Sequence, residues 1–168
     1  LTYYLLHAPK HQSESLAKAA LSLKEKTVIC SICANVSETD PCEIDLDPSR
    51  DKSTVAVVED PLDVLALERA NFEGLYHVLH GVISPLDNIG PDELYIDTLV
   101  TRIKKGIVKE VILATNTSLE GEATALYIKQ ALTGVHPPGG EVKISRIGRG
   151  LPTGVEIEYA DETTLLHA

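Results

Sequence analysis

The order of apolar periods along this chain predicts an α/β fold with a mainly parallel sheet, preceded by a small helix and a cysteine-bearing module. Three observations carry that expectation. Short runs with strand-type apolar residues recur at 54–58, 75–79, 111–114 and 142–147. Stretches of helical period lie between them at 61–70, 91–105 and 121–132, the second with Ile96, Leu99, Val100 and Ile103 on one stripe. Strands that alternate with helices are joined by crossovers, which gives a parallel sheet covered on both faces. Finally, Cys30, Cys33 and Cys42 gather ahead of the first strand and mark a module of their own.

The elements can be justified in chain order. Leu1-Thr2-Tyr3-Tyr4-Leu5-Leu6 has the make-up of an amphipathic helix interior. Ser13 or Ser15 can cap a second helix, in which Leu16, Ala20 and Leu23 recur at i, i+4 and i+7. Its apolar face, running to about Lys26, is expected to pack against the cysteine module. That module occupies residues 27–53. Two residues separate Cys30 from Cys33, so one tight turn presents both thiols to a tetrahedral ion; Cys42 then opens a second knuckle that should return a matching pair. The alternative is a hairpin of reduced, metal-free thiols. A disulfide is disfavoured by the odd cysteine count and the lack of secretory features.

The first sheet strand ends on Glu59, where Asp60 can cap the next helix and Pro61 suits its first turn. Glu59 therefore projects from a strand end. Val111-Ile112-Leu113 runs into Ala114-Thr115-Asn116-Thr117-Ser118-Leu119-Glu120-Gly121-Glu122, which has the layout of a carboxylate-rich metal loop. Asn116 and Ser118 stand at its central acid positions, and neither offers the anionic oxygen that magnesium prefers. Both features fall at carboxyl ends of strands, where open α/β sheets place ligand sites. His77 and His80 would face opposite sides of a strand, which gives them packed or hydrogen-bonded roles rather than a shared metal. The run His136-Pro137-Pro138-Gly139-Gly140 reads as a loop. Gly148-Arg149-Gly150 with Gly154 lacks the lysine and spacing of a P-loop and reads as turn chemistry.

Composition narrows the function. A chain of 168 residues, 43% of them hydrophobic, suits one domain with a sizeable core and a small appended module. It has no apolar run of membrane-span length and no signal-peptide core, and so reads as soluble and cytoplasmic. With 25 acids against 15 bases the net charge is −10, the wrong sign for capturing DNA by overall electrostatics. Any nucleic-acid contact must be local. Candidate bases are Lys18, Lys24 and Lys26, then Arg50 and Lys52 beside the cysteine module, then Arg146 and Arg149, set against the ordinary role of solvated surface charges.

A strand-borne Glu, then a later strand leading into an acidic loop that ends Glu-Gly-Glu, is similar to the Toprim domain of topoisomerases and primases. There a Glu and two Asp hold magnesium. Val57-Val58-Glu59, the stretch from Tyr76 to Leu86, the 114–123 loop, Gly150-Leu151-Pro152 and the run from Glu158 through Leu165 together resemble the RecR family of recombination mediators. The resemblance extends over nearly the whole chain. It implies a helical remnant at 1–29, a zinc-finger-like module at 30–53, a Toprim domain at 54–147 and a C-terminal oligomerisation segment at 148–168. Family members carry four cysteines in the module; Asp45 stands at the fourth place here, so the implied structural zinc ligands are Cys30, Cys33, Cys42 and Asp45.

The same resemblance implies a non-enzymatic DNA-repair scaffold that works with RecO-like and RecF-like mediators to load RecA on single-stranded DNA. Glu59, Glu120 and Glu122 would form an acidic docking face for a basic partner, or would simply favour the following helix N-termini. Arg50 and Lys52 would contact single- or double-stranded DNA, weakly in this chain, which is expected to lack a leading helix-hairpin-helix. A homodimer built from the C-terminal side is expected, with a tetramer for the longer form; Val155-Glu156-Ile157-Glu158-Tyr159 alternates like an edge strand. The competing readings are a catalytic Toprim nuclease or primase-like enzyme using a divalent metal on Glu59, Glu120 and Glu122, and a zinc-stabilised oligomerisation module without DNA contact.

Overall fold

Two helices, α1 (Thr2–His7) and α2 (Lys10–Lys26), open the chain in the computed structural model, which describes residues 2–138, 140–148, 150–151, 154, 156–159 and 162–167. Leu1, Gly139, Arg149, Pro152, Val155, Ala160 and Asp161, which figured in the sequence expectations, lie outside the described residues. α2 begins after Pro9, not at Ser13 or Ser15, because a proline readily precedes a helix but ends the one before it. Its apolar stripe is not covered as expected: none of its residues is buried, and Leu16 and Leu23 are 46% and 60% exposed. The reason is size. A 17-residue helix is about 26 Å long. The module that follows offers only the two-residue strands β1 (Val28–Ile29) and β2 (Val36–Ser37), paired antiparallel, and the short helix α3 (Glu43–Leu46).

The sheet is built from β3 (Asp51–Val58), β4 (Gly74–Val78), β5 (Glu110–Leu113) and β6 (Lys143–Arg146). All neighbours run parallel in the order β4-β3-β5-β6. Helix α4 (Pro61–Arg69) joins β3 to β4, α5 (Ile96–Lys105) joins β4 to β5, and α6 (Leu119–Leu132) joins β5 to β6. Helix α7 (Glu162–His167) follows. β3 alternates as a strand buried on both faces must: Val55 and Val57 join the core under α5 and α6 with Leu99, Ile103 and Ile128, whereas Ala56 and Val58 meet Val64 of α4. The chain steps from β3 outward to β4 and then crosses back to β5 on the other side. The order therefore reverses between β3 and β5, the crevice where such sheets bind ligands.

Two further differences from expectation are local. Ile157–Tyr159 is a 3-10 turn rather than an edge strand, because Tyr159 N–H bonds to Glu156 O at 3.1 Å and the segment curls on itself. His77 and His80 each point Nε2 at a backbone carbonyl, that of Tyr95 at 2.7 Å and that of Ala34 at 2.6 Å. A carbonyl only accepts, so Nε2 carries the proton in each ring.

His77 is fully buried and its Nδ1 has no partner among the described residues. Burial pushes this imidazole from 6.5 down to about 4. Between those values the unfolded chain takes up a proton that the folded chain refuses, so this group's contribution to stability is lost as pH falls from 6.5 towards 4. The loss is on the order of 3 kcal/mol. His77→Gln keeps a donor for Tyr95 O and removes the titration. Urea unfolding at several pH values is expected to show a flatter acid limb for the variant; parallel limbs would assign the acid sensitivity elsewhere.

Candidate metal centre and strand-end site

The cysteine module converges on one point. Turns after β1 and after β2 bring the Sγ atoms of Cys30, Cys33 and Cys42 and a carboxylate oxygen of Asp45 within 4.8 Å of one another. Cys33 and Cys42 lie 3.5 Å apart, and Asp45 Oδ2 is 3.3 Å from Sγ of both Cys30 and Cys42. Donors around a tetrahedral zinc ion are separated by roughly 3.5–3.8 Å, so this set fits the ion with little adjustment. Backbone amides of Ile32 and Cys42 point at Cys30 Sγ, and that of Asp45 points at Cys42 Sγ, as donors that favour thiolate. Burial and the Asp45 carboxylate push the Cys33 thiol up strongly, and burial raises Cys42 to about 11. Without a cation these thiols keep their protons. A divalent ion would displace them, so binding would release protons.

The module is latched to the sheet. Val78 N–H donates to Cys33 O at 2.8 Å, and His80 reaches Ala34 O. Ala34 and His80 both adopt left-handed backbone, at φ 58° and 60°, so two sparsely populated conformations meet at the seam. Arg102 of α5 closes the third side: Nη2 donates to Asp45 Oδ1 at 2.9 Å and Nη1 to Tyr76 O at 2.5 Å. Sequence reading missed Arg102. The available signal was a guanidinium one position before Ile103 in an otherwise apolar stripe.

The crevice between β3 and β5 is closed by hydrogen bonds. Glu59 is 7% exposed, and its carboxylate accepts from Asn116 N–H at 2.7 Å and from Asn116 Nδ2 at 2.6 Å. Ser118 serves as the N-cap of α6, accepting from Gly121 N–H at 3.0 Å. The two residues at the acid positions thus have structural work of their own. Arg146 completes the wiring with bonds to Leu113 O, Asn116 O and Glu122, the last at 2.5 Å. Among the described residues, Cys30, Cys33, Cys42 and Asp45 form a group close enough to hold a metal ion; Glu59, Glu120 and Glu122 do not. Of these three acids Glu59 is buried, and Glu120 and Glu122 are half-buried in the first turn of α6.

Asn116→Asp replaces a donor by an acceptor against a buried carboxylate, which raises the proton affinity of the pair. A loss of about 2 kcal/mol at neutral pH is expected, partly restored by magnesium. Thermal melts with and without the ion check this; an unchanged melting temperature would mean that the Glu59–Asn116 bonds carry no weight.

Arg50 and Lys52 separate. Lys52 is exposed at the start of β3. The Arg50 guanidinium is instead committed internally, with Nη1 and Nη2 on the two oxygens of Glu68 at 2.7 and 2.6 Å and further bonds to Phe72 O and Gly74 O. That fork holds the Glu68 carboxyl below its usual range and raises Arg50. A residue so engaged ties the linker to α4 and β4. Among the described residues no helix is long and apolar enough to cross a membrane.

A parallel sheet with a Glu at one strand end and an acidic loop at the neighbouring one defines a Toprim-type protein, and a family model of the Toprim domain matches residues 53–148. A second, described as RecR, C-terminal, matches residues 150–168. The chain is 47% identical over 169 residues to Recombination protein RecR of Desulforudis audaxviator, covering 100% of this chain and 83% of the relative. It is 51% identical over 175 residues to the protein of the same name from Chloroherpeton thalassium and 48% identical over 170 residues to that from Lactobacillus johnsonii, again with 100% and 83% coverage. The chain belongs to the RecR family.

Proposed function

We propose that this protein is a non-enzymatic scaffold of recombinational DNA repair, acting in the cytoplasm with RecO-like and RecF-like mediators to load a RecA-type recombinase on single-stranded DNA. The observation that carries the reading is the closed crevice. Where a catalytic Toprim domain needs grouped anionic oxygens for magnesium, Asn116 fills the carboxylate of Glu59 and Arg146 neutralises Glu122. The family membership supports the recombination-repair role. Strand cleavage or primer synthesis with magnesium or manganese is not expected, and nicking that vanished in Glu59→Gln would sink this assignment.

The proposed division of the chain is a helical part at 1–29, a zinc module at 30–53, the Toprim domain at 54–147 and a C-terminal oligomerisation segment at 148–168, which would support a homo-oligomer, a dimer or a tetramer. Zinc, held by Cys30, Cys33, Cys42 and Asp45, would be structural, fixing the module against β4. Glu120 would present the acidic surface to a basic partner, with Glu122, paired to Arg146, at its edge and Glu59 supporting the loop from beneath. DNA contact would fall to Lys52 and the exposed lysines of α2, weakly, given the net charge of −10. The two surfaces are separable: Glu120→Lys should weaken binding of a RecO-like partner and spare DNA retention, and Lys52→Glu the reverse. Equal loss of both activities in either folded variant would overturn the division.

A further inference from the structure

We infer that Arg102 is a positioning residue for the metal centre: it holds Asp45 in the one-oxygen mode that lets a carboxylate stand in for a fourth thiolate. The inference rests on reading this cluster as a zinc site. Asp45 directs its two oxygens differently. Oδ2 lies 3.3 Å from both Cys30 Sγ and Cys42 Sγ, whereas Oδ1 faces away and receives Arg102 Nη2 at 2.9 Å. Both side chains are shielded, at 12% exposure for Arg102 and 2% for Asp45.

A carboxylate differs from a thiolate in having two equivalent donor atoms and a free rotation that exchanges them. Occupying Oδ1 removes that freedom and commits Oδ2 to the metal, the role that outer hydrogen bonds play for ligating carboxylates. The fork is itself fixed, since Nη1 bonds Tyr76 O on β4 and the neighbouring Ile103 is buried in the core. Lysine has one compact charge and could not bridge both acceptors. A thiolate at position 45 would have a single donor atom and nothing to orient, so the dependence on Arg102 belongs to Asp45.

The test is a double-mutant comparison on the full chain loaded with zinc. Zinc affinity is measured by competition with a chromogenic chelator for the unmodified protein, Arg102→Met, Asp45→Cys and the double variant. Arg102→Met is expected to weaken zinc binding about 10- to 100-fold when Asp45 is present. In the Asp45→Cys background it should change binding by no more than about twofold. Cobalt(II) substituted for zinc should show altered d–d absorption on Arg102→Met only with Asp45. Should Arg102→Met fail to fold, Arg102→Lys is compared in the same two backgrounds, again with a loss confined to Asp45. Equal loss in both backgrounds would place the effect in the fold and overturn the inference. Zinc bound with an affinity indifferent to Arg102 overturns it alone, whereas absence of zinc from the unmodified protein removes the zinc reading as well.

Discussion

Chelation of the metal is expected to lower the melting temperature by about 10 °C or more and to expose the amides of residues 30–46 to exchange before those of the sheet. Structural zinc contributes on the order of 10 kcal/mol of binding free energy in small finger peptides, and a third of that is ample for such a shift in a chain of this size. The module has little else to hold it: its buried apolar cluster is Cys30, Cys33 and Cys42 with Ile44 packed alongside, and its strands are two residues long. The sheet has its own cores on both faces and should survive. Asp45→Cys should tighten zinc, since a softer thiolate suits the ion. Its gain in stability should be smaller than the gain in affinity, because the change leaves the buried Arg102 guanidinium with Tyr76 O alone. An unchanged melting curve after chelation, with no zinc by elemental analysis, would show a hairpin held by packing.

Gly121→Ala should cost about 3 kcal/mol, at the upper end of overpacking effects, and lower the melting temperature by roughly 6–12 °C. A Cβ at Gly121 would lie 2.3 Å from Asn116 O and 2.8 Å from Glu59 Oε1. The first of these is backbone and cannot swing away. Relief requires moving the 114–118 loop, which breaks the two bonds from Asn116 to Glu59 and shifts the Glu120 surface. Gly148→Ala is the control, because among the described residues nothing beyond its chain neighbours lies within 4 Å of its added methyl. It should change stability by less than about 0.5 kcal/mol. Equal small effects for the two variants would mean that the crevice is looser than its geometry indicates.

Periodicity and strand-end residues were legible in the sequence because they are local properties. The strand-type apolar runs and intervening helical stripes gave the parallel sheet, and Glu59 and the 114–122 loop were placed at strand ends by the elements on either side of them. The spacing of Cys30 and Cys33 marked a metal module, and the family resemblance supplied Asp45 as the fourth donor. What no local pattern encodes is which side chain from elsewhere meets these groups. Arg102 stands 57 positions from Asp45, and Asn116 stands 57 from Glu59. Arg50 looked like a surface base and Glu59 like a presented acid. Crossovers and strand order buried Glu59 and half-buried Arg50, each against internal partners. The stripe of α2 likewise named a face without its cover. Sequence alone determined the elements, the donor types and the absence of acids at Asn116 and Ser118. Tertiary structure decided which charges are neutralised inside the molecule and which remain at its surface, because burial and pairing depend on distances that only the folded chain sets.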